Sequence, residues 1–177
     1  MSGSWREGLC MGTDDRTRAF VPDDFAVPRE LVTGDFRLEP LGPKHNAGDY
    51  EAWMSSIDHI RATPGFRHIG ATPGFGDGTW PDPGMTLEEN LADLRRHAQD
   101  FTQRAGFTYT VLARGSDRII GCVYIYPSGG RDDAADAADV HSWVRADQAD
   151  LDVALHDAVV AWLNTAWPFS AIRYASR

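Results

Sequence analysis

"FTYTVLARGSDRIIGCVYIYP" (107–127) holds two runs rich in β-branched and aromatic residues on either side of "GSD". Residues of this type favour a pleated, half-buried surface, and a short turn containing Gly joins two such runs as an antiparallel hairpin. Upstream, Thr86 with Glu89 three residues on makes a capping box, and Leu87, Leu91, Leu94, Ala98 and Phe101 continue one apolar face. That pattern predicts a helix ending near Gly106. Downstream, the acidic loop "SGGRDDAADAA" (128–138) leads into "DVHSWVR" (139–145), which reads as a third strand. In "ADLDVALHDAVVAWLNTAW" (149–167), Leu151, Leu155, Ala158, Val159, Trp162 and Leu163 form a helical stripe, and "FSAIRYASR" (169–177) closes as a short strand.

Towards the start, "DFRLEPL" (35–41) alternates Phe36 and Leu38 with Arg37 and Glu39, as a first strand does. Tyr50, Trp53, Met54 and Ile57 then fall at helical spacing, which predicts one helix starting after Pro43 and ending before Pro64. The element order is therefore β-α-α-β-β-β-α-β. It is an α/β (α+β) arrangement without sustained βαβ alternation: a mixed, mostly antiparallel sheet flanked by helices. Residues 1–30 read as an extended arm anchored by Phe20, Val21, Phe25 and Val27, and residues 31–177 as the domain proper.

A chain of 177 residues supports one domain with a real core, and 42% hydrophobic residues with six Trp, eight Phe and five Tyr give it the material. The net charge of −9 argues against duplex nucleic acid or an anionic membrane as partner, since both call for a concentrated basic surface. Cys10 and Cys122 are the only cysteines and read as free thiols. The start has no apolar signal-peptide core, and no apolar run reaches the roughly 18 residues of a membrane span, so a cytoplasmic protein is expected. His45, His59, His68, His97, His141 and His156 lack zinc-ligand spacing, so no metal is expected and most should lie at the surface.

One tandem repeat stands out: "DHIRATPGF" (58–66) is followed by "RHIGATPGF" (67–75). Adjacent Pro and Gly bar each unit from regular structure, and two units fall short of the ~3 a solenoid generally needs. The repeat reads as a duplication in a tolerant loop, with Phe66, Phe75 and Trp80 as an aromatic lid.

"FRLEPLGPKHNAGDYEAWM" (36–54), the hairpin and "ADVHSWVRADQADLDVALHDAVVAWL" (138–163) together resemble the GNAT superfamily of N-acetyltransferases, over about residues 35–177. The resemblance implies acetyl-CoA as cosubstrate, bound where the fourth strand leads into a helix. A helix N-terminus offers free N–H groups and a positive dipole end to a pyrophosphate. It implies contacts from Trp143, Val144, Arg145 and Gln148, with Leu151 and Val153 standing where the family carries glycines. The family's usual further helix, which often supplies a general-acid tyrosine, has no counterpart before Arg177. The last strand is then expected to be covered by a second copy in a homodimer or by residues 12–30.

Acetyl transfer needs a group to take the proton of an attacking amine. On the predicted fourth strand Asp139, His141 and Trp143 share one face, and Val140, Ser142 and Val144 the other. Asp139 matches a position where the family often carries a catalytic Glu. His141 titrates near neutrality, and Asp139 is placed to orient it. Tyr124, Tyr126 and Trp80 are candidates to line the site of a small-molecule amine. Two readings stay open: an acyl-CoA-dependent N-acetyltransferase, and a GNAT-like binding or dimerisation module that has lost the cofactor.

Overall fold

The computed structural model describes residues 20–66, 80–129 and 136–177. The second unit of the repeat, with His68 and Phe75, lies outside the described residues, as do Cys10 and the first part of the arm. Ten elements follow one another: β1 (Leu31–Val32), β2 (Phe36–Pro40), α1 (Asn46–Met54), α2 (Ile57–Ala62), α3 (Leu87–Gln103), β3 (Phe107–Ala113), β4 (Ile119–Pro127), β5 (Ala137–Val144), α4 (Asp152–Ala166) and β6 (Ala171–Tyr174). They form one six-stranded sheet in sequence order, with every neighbouring pair antiparallel except β5 and β6.

The expected order holds, with the two-residue β1 added at the edge and one helix divided. The predicted single helix between Pro43 and Pro64 is a 3-10 turn at Pro43–His45 followed by α1 and α2, with Ser55 and Ser56 between them. The Ser55 hydroxyl donates to the carbonyls of Glu51 and Ala52, and the Ser56 hydroxyl accepts from the Ala146 amide. Serine hydroxyls compete in this way with the helical ladder, which a pattern of apolar spacing does not register. The capping box on α3 forms as expected: Thr86 Oγ1 accepts from the Glu89 amide at 3.2 Å and Glu89 Oε2 from the Thr86 amide at 2.7 Å.

Strand alternation divides the apolar residues between two cores. Phe107, Tyr109 and Val111 of β3, Val123 and Ile125 of β4, and Val140 and Val144 of β5 meet Leu155, Val159, Trp162 and Leu163 of α4. On the opposite face Cys122, Tyr124, Tyr126 and Trp143 meet Trp53 of α1, Ile60 of α2 and Leu94 of α3. The arm belongs to the first core, where Phe20 and Val21 are buried and Phe25 and Val27 partly so. Arg104, in the left-handed region at φ 61, ends α3 and donates to the carbonyls of Pro22 and Phe25. The arm thus continues into β1, at the edge opposite β6, so its described part does not shield the last strand.

Candidate active site

β5 carries the candidate residues, and its outer edge explains their setting. β6 pairs with it only from Ala137↔Ala171 to Val140↔Tyr174, whereas β5 runs on to Val144. A wedge therefore opens beside His141–Val144, between β5 and the chain that leaves β6. The turn Thr63–Phe66 roofs this wedge. It closes through the Phe66 amide on the Thr63 carbonyl at 3.2 Å, with Gly65 at φ +94, where a side chain would be strained.

His141 lies under that turn, its ring 5.8 Å from the Phe66 ring in an edge-on contact and hydrogen-bonded to the main chain of Gly65. Burial lowers its pKa below 6.5; the Asp139 charge opposes that shift and the Arg177 charge adds to it. The ring is therefore neutral at pH 7, the form a base requires. The Asp139 carboxylate accepts from Ser128 Oγ at 3.0 Å, and Ser128 Oγ also accepts from Arg173.

Trp80 joins the roof to the core, with ring centroids 5.9 Å from Phe66, 6.0 Å from Trp53, 6.2 Å from Tyr124 and 6.2 Å from Trp143. The two tyrosines, candidates to line an acceptor site, are buried in the second core. Tyr124 is buried and its hydroxyl accepts from Trp143 Nε1 at 3.2 Å, while Tyr126 donates to Asp100 at 2.9 Å and contacts His97 Nδ1 at 2.8 Å. Both belong to a polar layer between the sheet and α1–α3 that the apolar pattern of the sequence conceals. In that layer Asn90 accepts from Trp53 Nε1 and donates to Asn46 and Asp49. Of the six histidines, most of them expected at the surface, His45 and His97 are buried: His45 Nδ1 accepts from the Gly42 amide and its Nε2 meets Glu39, while His97 contacts Thr108 and Tyr126. Fixed polar partners within reach made these burials possible, and histidine spacing alone carries no sign of them.

The residues expected to hold a cofactor are otherwise engaged. Arg145, 7% exposed, makes a bidentate pair with Glu51 at 2.9 Å for both bonds and also contacts Asp147 at 3.2 Å. The Trp143 and Val144 side chains are buried on opposite faces. Gln148 donates its amide to the Arg145 carbonyl and its side chain to the Asp147 carbonyl. A 3-10 turn, Ala146–Leu151, precedes α4, which begins without a side-chain cap; Leu151 packs on the first core and Val153 is 55% exposed. Among the described residues no group of three His, Cys, Asp or Glu is placed to hold a metal ion, and no helix is long and apolar enough to cross a membrane.

Solved structures share this architecture at low sequence identity. The ribosomal-protein-S5-alanine acetyltransferase from Vibrio fischeri superposes with a TM-score of 0.54 at 13% identity, over 77% of this chain and 68% of that one. This is the GNAT acetyltransferase fold. The microcin C7 self-immunity acetyltransferase MccE, solved with acetyl-CoA and AMP, gives 0.53 at 13% identity over 80% and 71% of the two chains. A Salmonella typhimurium acetyltransferase that modifies the N-terminal serine of ribosomal protein L7/L12 gives 0.53 at 9% identity over 77% and 69%. No family model and no curated protein matches the sequence. The resemblance of the sequence leads to the expectation of acetyl-CoA where β5 leads into α4. The polar groups around that helix start are largely satisfied within the chain.

Proposed function

We propose that the chain is an N-acyltransferase that moves an acetyl group from acetyl-CoA to the amine of a small molecule. The observation that carries this reading is the position of His141: neutral, roofed by Gly65 and Phe66, and set beside the wedge of a GNAT sheet. The bound thioester would supply the acyl carbonyl and the leaving thiolate. Main-chain groups of Ser142–Val144 would hold the cofactor's arm. His141 would take the proton released by the amine, and the Asp139 charge on the same strand face would favour the imidazolium that results. Phe66 and Trp80 would keep water from the reacting groups, and the net charge of −9 would draw in a cationic amine. No described strand pairs with the outer edge of β6, which would be open to a second copy of the chain.

Isothermal titration with acetyl-CoA, followed by turnover of wild type and His141→Ala on a panel of small amines and N-terminal peptides, tests the reading. It expects micromolar binding in both proteins, with turnover reduced by about 10²–10⁴ in the variant. Absence of binding would leave the second reading, a binding module on a GNAT scaffold. The engagement of Arg145 by Glu51 and Asp147 favours that alternative.

A further inference from the structure

The β5/β6 wedge already contains a guanidinium. Arg177 Nη2 donates to the Ser142 carbonyl at 2.9 Å and to Ser142 Oγ at 3.1 Å, and Nη1 donates to the Ala175 carbonyl at 2.8 Å and the Pro64 carbonyl at 3.3 Å. Its Nε lies 2.8 Å from Asp152 Oδ2 as an ion pair out of hydrogen-bond alignment. The cation also sits 5.5 Å from the centre of the Tyr174 ring, whose hydroxyl meets Ser142 Oγ. With its side chain 3% exposed, this one residue ties together β5, the roof of the wedge, the exit from β6 and the first residue of α4.

We infer that Arg177 is a latch that closes the wedge and must withdraw before an acyl-CoA can enter, so that donor binding competes with an internal ligand. The inference rests on the acyltransferase reading. The Ser142 carbonyl is the strand-edge acceptor that an amide-bearing arm would use, and in the closed state Arg177 occupies it. Asp152 holds the guanidinium from the other side, at the helix start where phosphates would approach. Releasing the latch leaves a cation within side-chain reach of that helix start. A ligand that binds only the open state has its apparent affinity reduced by the fraction of open molecules. Weakening the latch should therefore tighten binding without any new contact.

The test is titration of coenzyme A into the full-length protein and into Arg177→Met, which keeps the apolar stem and removes the donors. Thermal melts would first establish that both are folded. Hydrogen exchange of residues 171–177 in wild type, with and without coenzyme A, gives a second readout that does not depend on the variant's folding. The latch predicts a Kd at least 10-fold lower in Arg177→Met, equivalent to about 1.4 kcal/mol. It also predicts faster exchange of residues 174–177 in wild type when coenzyme A is bound. Equal affinity in the two proteins, or slower exchange on binding, would overturn the latch and leave the acyltransferase reading in place. Weaker binding by the variant would overturn it too, by making Arg177 a ligand of the cofactor. If two folded proteins bind no coenzyme A, the acyltransferase reading fails and the latch fails with it.

Discussion

Asp49 is an acid whose environment opposes its usual charge. It is buried on α1 with one hydrogen bond from Asn90 Nδ2, at 3.1 Å. Burial, with a smaller contribution from the Asp93 charge, raises its pKa from 3.8 to about 7 against the opposing Asn90 bond. The folded protein thus holds a proton that the unfolded chain releases above about pH 4, so this residue's contribution to stability falls as pH rises from about 4 to about 7 and is level beyond. Asp49→Asn should remove that slope, gaining roughly 2–4 kcal/mol over wild type at pH 8 and little at pH 4, since a pKa unit is worth about 1.4 kcal/mol. Urea unfolding at both pH values measures it, and an equal gain at each would contradict the assignment. His141 gives a kinetic counterpart. If His141 is the base of the proposed transfer, its lowered pKa should place the acid limb of kcat/KM below pH 6.5, with activity rising as the ring loses its proton, and His141→Gln should erase that limb. The position of His141 on a strand face was legible from alternation. The burial of Asp49, His45 and His97 was not, because it depends on partners 41, 6 and 29 residues away in the chain.

Among the elements, β4 and β5 approach closely at Gly121, where the lack of a side chain makes the approach possible. A Cβ added at Gly121 would lie 2.3 Å from the Trp143 carbonyl oxygen, a backbone atom that cannot step aside. Gly121→Ala is expected to destabilise the fold by roughly 3 kcal/mol or more, through strain of the kind that gives the largest single-site effects. A chemical melt that stayed within about 0.5 kcal/mol of wild type would show that the strands can part. The Arg145 contacts join α1 to the turn before α4, and their two ends are unequal. Arg145 is nearly buried, whereas the Glu51 side chain is 66% exposed. Arg145→Ala should cost roughly 1–3 kcal/mol, while Glu51→Ala should cost less than about 1 kcal/mol because Asp147 remains as partner and water solvates the rest. Equal losses would mean that the pair acts as a single buried unit. The strands and α3 could be read from the sequence because alternation and a capping box are local signals. The division of α1 from α2 could not, since the Ser56 hydroxyl turns to an amide 90 residues away.

At the scale of the molecule, the sheet has one core on each face, and the arm completes the first. Phe20 stacks on Phe107 at 5.8 Å and on Phe169 at 4.9 Å, Phe25 meets Trp167 at 5.7 Å, and the Tyr109 hydroxyl donates to the Pro28 carbonyl. The sequence identified Phe20, Val21, Phe25 and Val27 as the anchors of a polar stretch, but could not say which part of the sheet they would meet. They meet β3 and the connection from α4 to β6, so removing residues 1–30 should uncover Phe107, Trp167 and Phe169. Phe20→Ala alone should cost roughly 3–5 kcal/mol, the range for truncating a buried aromatic side chain. Deletion of residues 1–30 should cost at least as much and increase binding of a hydrophobic dye. The wedge at β5 and β6 lies at the other end of the sheet, so coenzyme A titrated into folded Phe20→Ala at low temperature should give the wild-type affinity. An affinity change of more than about tenfold would mean that the two ends of the sheet are coupled and that the arm takes part in shaping the site.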